Sequence, residues 1–182
     1  MINKKPIIGV MGSHDTPWND YAAPVGQLIA KRGYHLLTGA GAGVMEAVSH
    51  AYTIEPNRKG LSIGIIPTMD YSGAVEKYPN HYIELPILAP LDNKAQQDQM
   101  PYSRNYVNIM SSHAIIILPG AHGTQNEVSL ALMFDKPMIL FGPEGAFEDF
   151  PEAPYRADHI GEVETFLEKT VNKLRATKDF SD

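Results

Sequence analysis

The chain has 182 residues, a formal charge of -6, a sequence pI near 5.6 and 43% hydrophobic content, the profile of one globular domain with enough apolar side chains for a real core. Negative net charge without a basic run argues against nonspecific nucleic-acid binding, and no window approaches 18 apolar residues, so no membrane-spanning helix is expected. The absence of cysteine removes disulfides, thiolate metal sites and a thiol nucleophile, and the first residues, MINKKPIIGVMGSHD, lack the long apolar region of a secretion signal, so a cytoplasmic location is expected.

In chain order, Pro6 to Gly12 reads as a first strand ending in glycine. After the loop Ser13 to Asn19 comes a helix with Tyr21, Val25, Leu28 and Ile29 on one side, closed by Lys31-Arg32-Gly33. Tyr34 to Thr38 is a second strand. Gly39-Ala40-Gly41-Ala42-Gly43 turns it into a helix begun by Val44, Met45, Ala47 and Val48. Leu61 to Ile66 is a third strand, Pro67 to Asn80 a surface excursion, and His81 to Leu85 a fourth, more polar strand near a sheet edge. A polar run, Pro90 to Gln99, precedes a helix expected from about Pro101 to Ser111, with proline at its first position.

The next stretch organises the rest. Ala114 to Leu118 is an unbroken apolar run rich in isoleucine, suited to a parallel strand buried on both faces. It ends at Pro119-Gly120, after which Val128, Leu130, Ala131, Leu132 and Phe134 recur near the helical period. Lys136 to Gly142 is a sixth strand, Pro143 to Ala157 an irregular loop, and Ile160 to Leu174 a closing amphipathic helix. Strands alternating with helices imply an α/β fold, a parallel sheet of about six strands with helices on both faces. Ligands of such folds bind at the carboxyl ends of the strands, where both glycine turns should lie.

A strand that turns through glycine into a helix aims the free N–H groups of the first helical turn, and the positive end of the dipole, at whatever sits above it, and an anion is the natural guest. Glu127 puts one carboxylate beside that position. The other turn, Gly39-x-Gly41-x-Gly43, lacks the G-x-G-x-x-G spacing, and no acidic residue clearly ends the next strand, so a dinucleotide is disfavoured and a mononucleotide suits the two turns better. The seven histidines form no recognisable ligand spacing, so no metal site is expected. Trp18 and Tyr21 suit either stacking on a base or capping the core.

Thr38-Gly39-Ala40-Gly41-Ala42-Gly43-Val44-Met45-Glu46-Ala47, together with Leu118-Pro119-Gly120-Ala121-His122-Gly123-Thr124-Gln125-Asn126-Glu127, resemble the SLOG superfamily of Rossmann-like nucleotide-binding proteins. Its relatives include the Lonely-guy phosphoribohydrolases and the molybdenum cofactor carrier proteins. The pattern is PGGxGTxxE preceded by an arginine-bearing helix, and the resemblance runs from roughly Pro6 to Phe141. It implies one Rossmann-like domain over residues 1–182. A nucleotide or related phosphorylated ligand would sit on Gly120, Ala121, His122, Gly123 and Thr124 and on Gly39, Gly41, Gly43 and Met45. Glu127 would be the functional carboxylate and Arg104 its basic partner, with no cofactor and no metal. A homodimer or higher oligomer is expected, with Met110, Leu130 and Met133 on an apolar flank.

Two functions follow from the resemblance. As a phosphoribohydrolase, the turn would hold a 5′-phosphate while Glu127, kept ionised by Arg104, faces the anomeric carbon of an N-glycosidic bond. As a carrier or sensor, the same turns would hold a nucleotide or a phosphorylated pterin-like cofactor without chemistry. Three departures from the hydrolase pattern bear on the choice: Ala121 replaces the second glycine, Asn105 replaces the basic residue after the arginine, and Asn126 replaces the first of two acids. Taken without the resemblance, Arg104 and Glu127 also fit a structural ion pair.

Overall fold

The computed structural model describes residues 4–67, 77–89 and 103–177. β1 (Ile7–Met11), β2 (His35–Thr38), β3 (Ser62–Pro67), β4 (Leu85–Ala89), β5 (Ala114–Ile117), β6 (Met138–Phe141) and β7 (Arg156–Ala157) form one sheet in the order β4-β3-β2-β1-β5-β6-β7. Every pairing is parallel. The helices are α1 (Asn19–Lys31), α2 (Val44–Thr53), α3 (Arg104–Ser111), α4 (His122–Met133) and α5 (Ile160–Arg175).

The period of two along each strand sorts the core into two layers. Ile8, Val10, Leu36 and Ile116 face α1, α2 and α5 through Val25, Ile29, Val48 and Phe166. Met11, Leu37, Ile115 and Ile117 face the other way, onto Ile109 of α3 and Val128, Leu130 and Ala131 of α4. Both faces of the central strands are thereby covered, which is why β5 reads as an uninterrupted apolar run. Trp18 and Tyr21 pack on the first layer, with Tyr21 edge-on to Phe141 at 5.0 Å between centroids, so they cap the core.

Two strand expectations needed correction. The edge strand is Leu85–Ala89, four residues later than the polar stretch that suggested it. The residues before it are held in a turn instead: Tyr82 N–H donates to Asn80 Oδ1, and Glu84 accepts from Ser62 N–H and pairs with Arg58. The sheet also gains a seventh strand, the two-residue β7, inside the stretch read as loop. Pro101, expected to open α3, lies outside the described residues; the described helix starts at Arg104 and is capped by Ser103 Oγ accepting from Tyr106 N–H. Of the three apolar flank residues, Leu130 is in the core, while Met110 and Met133 are exposed together with Leu132. No helix among the described residues is long and apolar enough to cross a membrane.

At the amino ends of the strands two histidines act as acceptors. Ile7 N–H donates to His113 Nδ1 and Leu61 N–H to His35 Nδ1, both at 3.0 Å. Burial, aided by Lys5, lowers the His35 pKa below 6.5, and burial, aided by Lys136, lowers that of His113. The unfolded chain therefore takes up these protons first as pH falls, and the stability the neutral rings supply above their unfolded pKa is lost as pH drops through the folded values. Replacing both by Asn, whose Oδ1 accepts near the position of Nδ1, is expected to remove this loss. Urea midpoints between about pH 7.5 and about pH 5 should fall less steeply in the His35→Asn/His113→Asn variant than in the parent; equal slopes would contradict it.

Candidate functional site

The chain leaves β1 toward β2, β3 and β4 on one side and reaches β5, β6 and β7 on the other. The loops after β1 and β5 consequently part at the carboxyl end of the sheet and leave a crevice between them. Ser13 fixes both banks: its N–H donates to Pro119 O at 3.0 Å, and its carbonyl accepts from Val44 N–H at 2.9 Å. The crevice opens into a cavity of about 280 Å³ whose wall includes Ser13, His14, Gly39, Arg104, Asn108 and Glu127. A cavity of about 490 Å³ lies beside the start of β6, against Phe166, Lys169 and Lys173 of α5. It is at the wrong end of the strands for the glycine turns, so its size does not decide the site.

The N-terminus of α4 forms one wall. Thr124 and Gln125 N–H both donate to Ala121 O, while among the described residues the N–H groups of Gly120, Ala121 and Gly123 make no hydrogen bond within the protein. These are the orphan donors of a helix start, at the positive end of its dipole. A β-carbon on Gly120 would overlap the Thr124 hydroxyl, so the turn closes only with glycine there. Ala121 has φ -111° and ψ -155°, an ordinary extended conformation, so the strain that positive φ would have imposed on its β-carbon does not arise. A β-carbon on Gly123 would meet nothing within 4 Å.

One helical turn further on, Glu127 is 8% exposed and lines the cavity. Burial pushes its pKa from 4.5 up to about 7, against the lowering effect of the Arg104 charge and of the Asn108 amide, whose Nδ2 donates to Oε1 at 3.4 Å. Desolvation therefore wins over the cation, and Arg104 does not keep the carboxyl fully ionised at neutral pH. Arg104 donates from Nη1 to Gly39 O at 2.6 Å and lies 5.5 Å from the centre of the Tyr78 ring. It thus ties α3 to the glycine turn after β2.

That turn works differently from the one after β5. Its left-handed residues are Ala40 (φ 61°) and Gly43 (φ 62°), and Asn80 clamps it by donating from N–H to Ala40 O and from Nδ2 to Gly41 O. A β-carbon on Gly39 would come within 3.0 Å of Arg104 Nη1 and Met45 Sδ, and one on Gly41 would crowd Met45, His14 and Tyr78. Both glycines make room for side chains. Of the residues the sequence singled out, Gly39, Met45, Arg104, Ala121, Gly123, Thr124 and Glu127 meet on one cavity wall, with Gly120 directly behind Thr124. Gly43 lies along a neighbouring depression with Asp15, Glu46 and His50, and His122 along another with Gln125 and Asn126. Among the described residues one carboxylate–imidazole group, Asp158, His159 and Glu162, has ligand atoms within 4.8 Å of one another. It is exposed, and Glu162 is taken up by Asp158 N–H, from which it accepts at the start of α5.

The model of the SLOG cluster4 family matches residues 5–174, nearly the whole fold just described. The chain belongs to the SLOG cluster4 family. Among solved structures, it is similar to a molybdenum cofactor carrier protein from Chlamydomonas reinhardtii, with TM-score 0.73 and 28% identity over 93% of this chain and 99% of that one. It is also similar to a molybdenum cofactor binding protein from the phototrophic bacterium Rippkaea orientalis, with TM-score 0.62 and 28% identity over 94% and 98% of the two chains. An uncharacterized protein of Archaeoglobus fulgidus is 29% identical over 143 residues, 78% of this chain and 83% of the relative.

Within this SLOG site, sequence reasoning passed over His14, Tyr78 and Asn108. The first two form a near-parallel pair, 6.3 Å between ring centres at 24°, and they come from loops 64 residues apart with no local signal. Asn108 had one: it lies four residues after Arg104, hence on the same helix face. The two amides at the positions that depart from the hydrolase pattern are partners. Asn105 Nδ2 donates to Asn126 Oδ1 at 3.1 Å and to Gly123 O at 3.5 Å.

Proposed function

We propose that this SLOG protein binds a small phosphorylated molecule, its phosphoryl group at the N-terminus of α4, and holds it as a carrier does. The observation that carries the reading is the row of unpartnered N–H groups at Gly120, Ala121 and Gly123 beside the cavity that contains Glu127 and Arg104. A carrier role is supported by the near full-length likeness to two proteins whose names say that they carry or bind the molybdenum cofactor. That makes a phosphorylated pterin-like cofactor the first candidate cargo. The Asn105–Asn126 pair supports the same reading: a neutral amide bridge joins α3 to α4 where the hydrolase pattern has a base and an acid. The exposed Met110, Leu132 and Met133 support self-association.

One observation favours hydrolysis as a second reading. Glu127, with its pKa pushed up to about 7, is poised for general acid or base work at neutral pH. Incubation with purine nucleoside monophosphates, followed by chromatography for free base and by calorimetry for binding, separates the two. Binding without base release is the expected result. Base release abolished in Glu127→Ala would establish the hydrolase instead, and no binding of these nucleotides or of any phosphorylated compound co-purifying with the protein would sink both.

A further inference from the structure

Asn108 is 1% exposed on the wall of the cavity, and its two ends are treated unequally. Nδ2 donates to Glu127 Oε1 at 3.4 Å, while Oδ1 is buried with no hydrogen-bond partner among the described residues. An ionised carboxylate only accepts hydrogen bonds, so opposite it the amide has to present nitrogen, and the carbonyl is left over. An orphaned carbonyl in a core is a penalty that a leucine would avoid, and this one sits against Glu127, a buried acid of the site.

Rotating the amide by half a turn exchanges its ends. Opposite a protonated Glu127 the rotated amide is the better partner, because the acid O–H then donates to Oδ1. We propose that Asn108 is the positioning residue of Glu127, its amide keeping the carboxyl hydrogen-bonded in both protonation states by turning Nδ2 to the ionised form and Oδ1 to the acid. This deepens, and rests on, the reading of Glu127 as the acid that faces the ligand. A phosphoryl anion arriving at α4 disfavours a second negative charge one turn away, and the rotating amide lets Glu127 take up a proton without losing its place. Among the described residues, the ionisable groups around the carboxyl are Arg104 on α3, His14 and Asp15 on the loop after β1, and Tyr78. Besides burial, Arg104 and the Asn108 amide act on it among the described residues.

The test is the titration of Glu127 in the unliganded protein, followed by the ¹³C shift of its carboxyl and assigned with Glu127→Gln. The parent is expected to titrate in one step with a midpoint of about 7. In Asn108→Leu both hydrogen bonds are gone, and because the charge-assisted bond to the ionised form is the stronger of the two, the midpoint should still rise, by about one pH unit. In Asn108→Asp two carboxyl groups compete for one proton, and the resonance should titrate in two steps. Near-UV circular dichroism checks that each variant is folded, and the aspartate variant keeps the test alive should the leucine variant not fold. If the amide turns, the Asn108 side-chain amide resonances of the parent move with the same midpoint as the Glu127 carboxyl; amide resonances that stay fixed through that titration, or a single step within about 0.3 pH unit of the parent in the folded variants, overturn the proposal. Because no ligand is present, this outcome is independent of whether phosphorylated compounds bind.

Discussion

Replacing Glu127 by glutamine is expected to make the unliganded protein more stable at pH 8, by on the order of 3 kcal/mol. The carboxyl is held at about 7 in the fold against 4.5 in the unfolded chain, and each pH unit of difference corresponds to about 1.4 kcal/mol. The sign follows from proton counting. Between the two values the folded protein binds the proton and the unfolded chain does not, so the wild-type fold loses stability as pH rises from about 4.5 to about 7. Glutamine has no charge to desolvate and still accepts from Asn108 Nδ2, so it escapes that loss. For a chain of this length the gain corresponds to a rise in Tm of roughly 6–12 °C at pH 8, shrinking to nothing near pH 4.5. Thermal scans at the two pH values check it, and a variant no more stable than the parent at pH 8 would show that Glu127 is not buried as a carboxylate. A residue that lowers the stability of its own fold at working pH fits the role proposed for Glu127 beside a bound ligand.

Much of the fold was legible because burial on both faces leaves a simple signature. The isoleucines of β5 and the Ile7–Met11 run could be read as strands since nothing polar is admitted where helices cover both sides. Legibility failed at the sheet edges. Leu85, Ile87 and Leu88 are exposed, so the apolar sequence of β4 does not mark a core strand, and the polar residues before it looked as strand-like as it does. Two-residue β7 carries no periodicity at all. In the candidate site, Gly120 and Glu127 were legible because the anion-binding helix start is a local motif, whereas Arg104 was singled out by the resemblance to the SLOG pattern, with helix geometry only permitting the pairing. The raised pKa of Glu127 was not, because desolvation depends on α3 and on the loop after β1, both far away in sequence. The meaning of Gly39 and Gly41 was equally tertiary: their missing side chains admit Arg104, Met45, His14 and Tyr78 rather than supplying left-handed turns.

The second large effect is expected at Gly123. The position has open space around its absent β-carbon and an unpartnered N–H, and in a helix the Cα–Cβ bond tilts toward the N-terminus. An aspartate here would therefore extend its carboxylate across the orphan N–H groups of α4, where a negative charge stabilises the helix by about 0.5–1 kcal/mol, while loss of glycine's unfolded-state freedom adds a few tenths. The same carboxylate would occupy the place proposed for the phosphoryl group and repel it. At about 4 Å and an effective dielectric near 20 that repulsion is on the order of 4 kcal/mol before salt screening, enough for at least about a hundredfold loss of affinity. Gly123→Asp should thus melt at or above the temperature of the parent and fail to bind, whereas Gly120→Ala, whose methyl would overlap Thr124, should lose stability and binding together. Denaturation midpoints and calorimetric titration with a nucleoside monophosphate distinguish the two variants. If Gly123→Asp bound as well as the parent, the phosphoryl group would have to lie somewhere other than the start of α4.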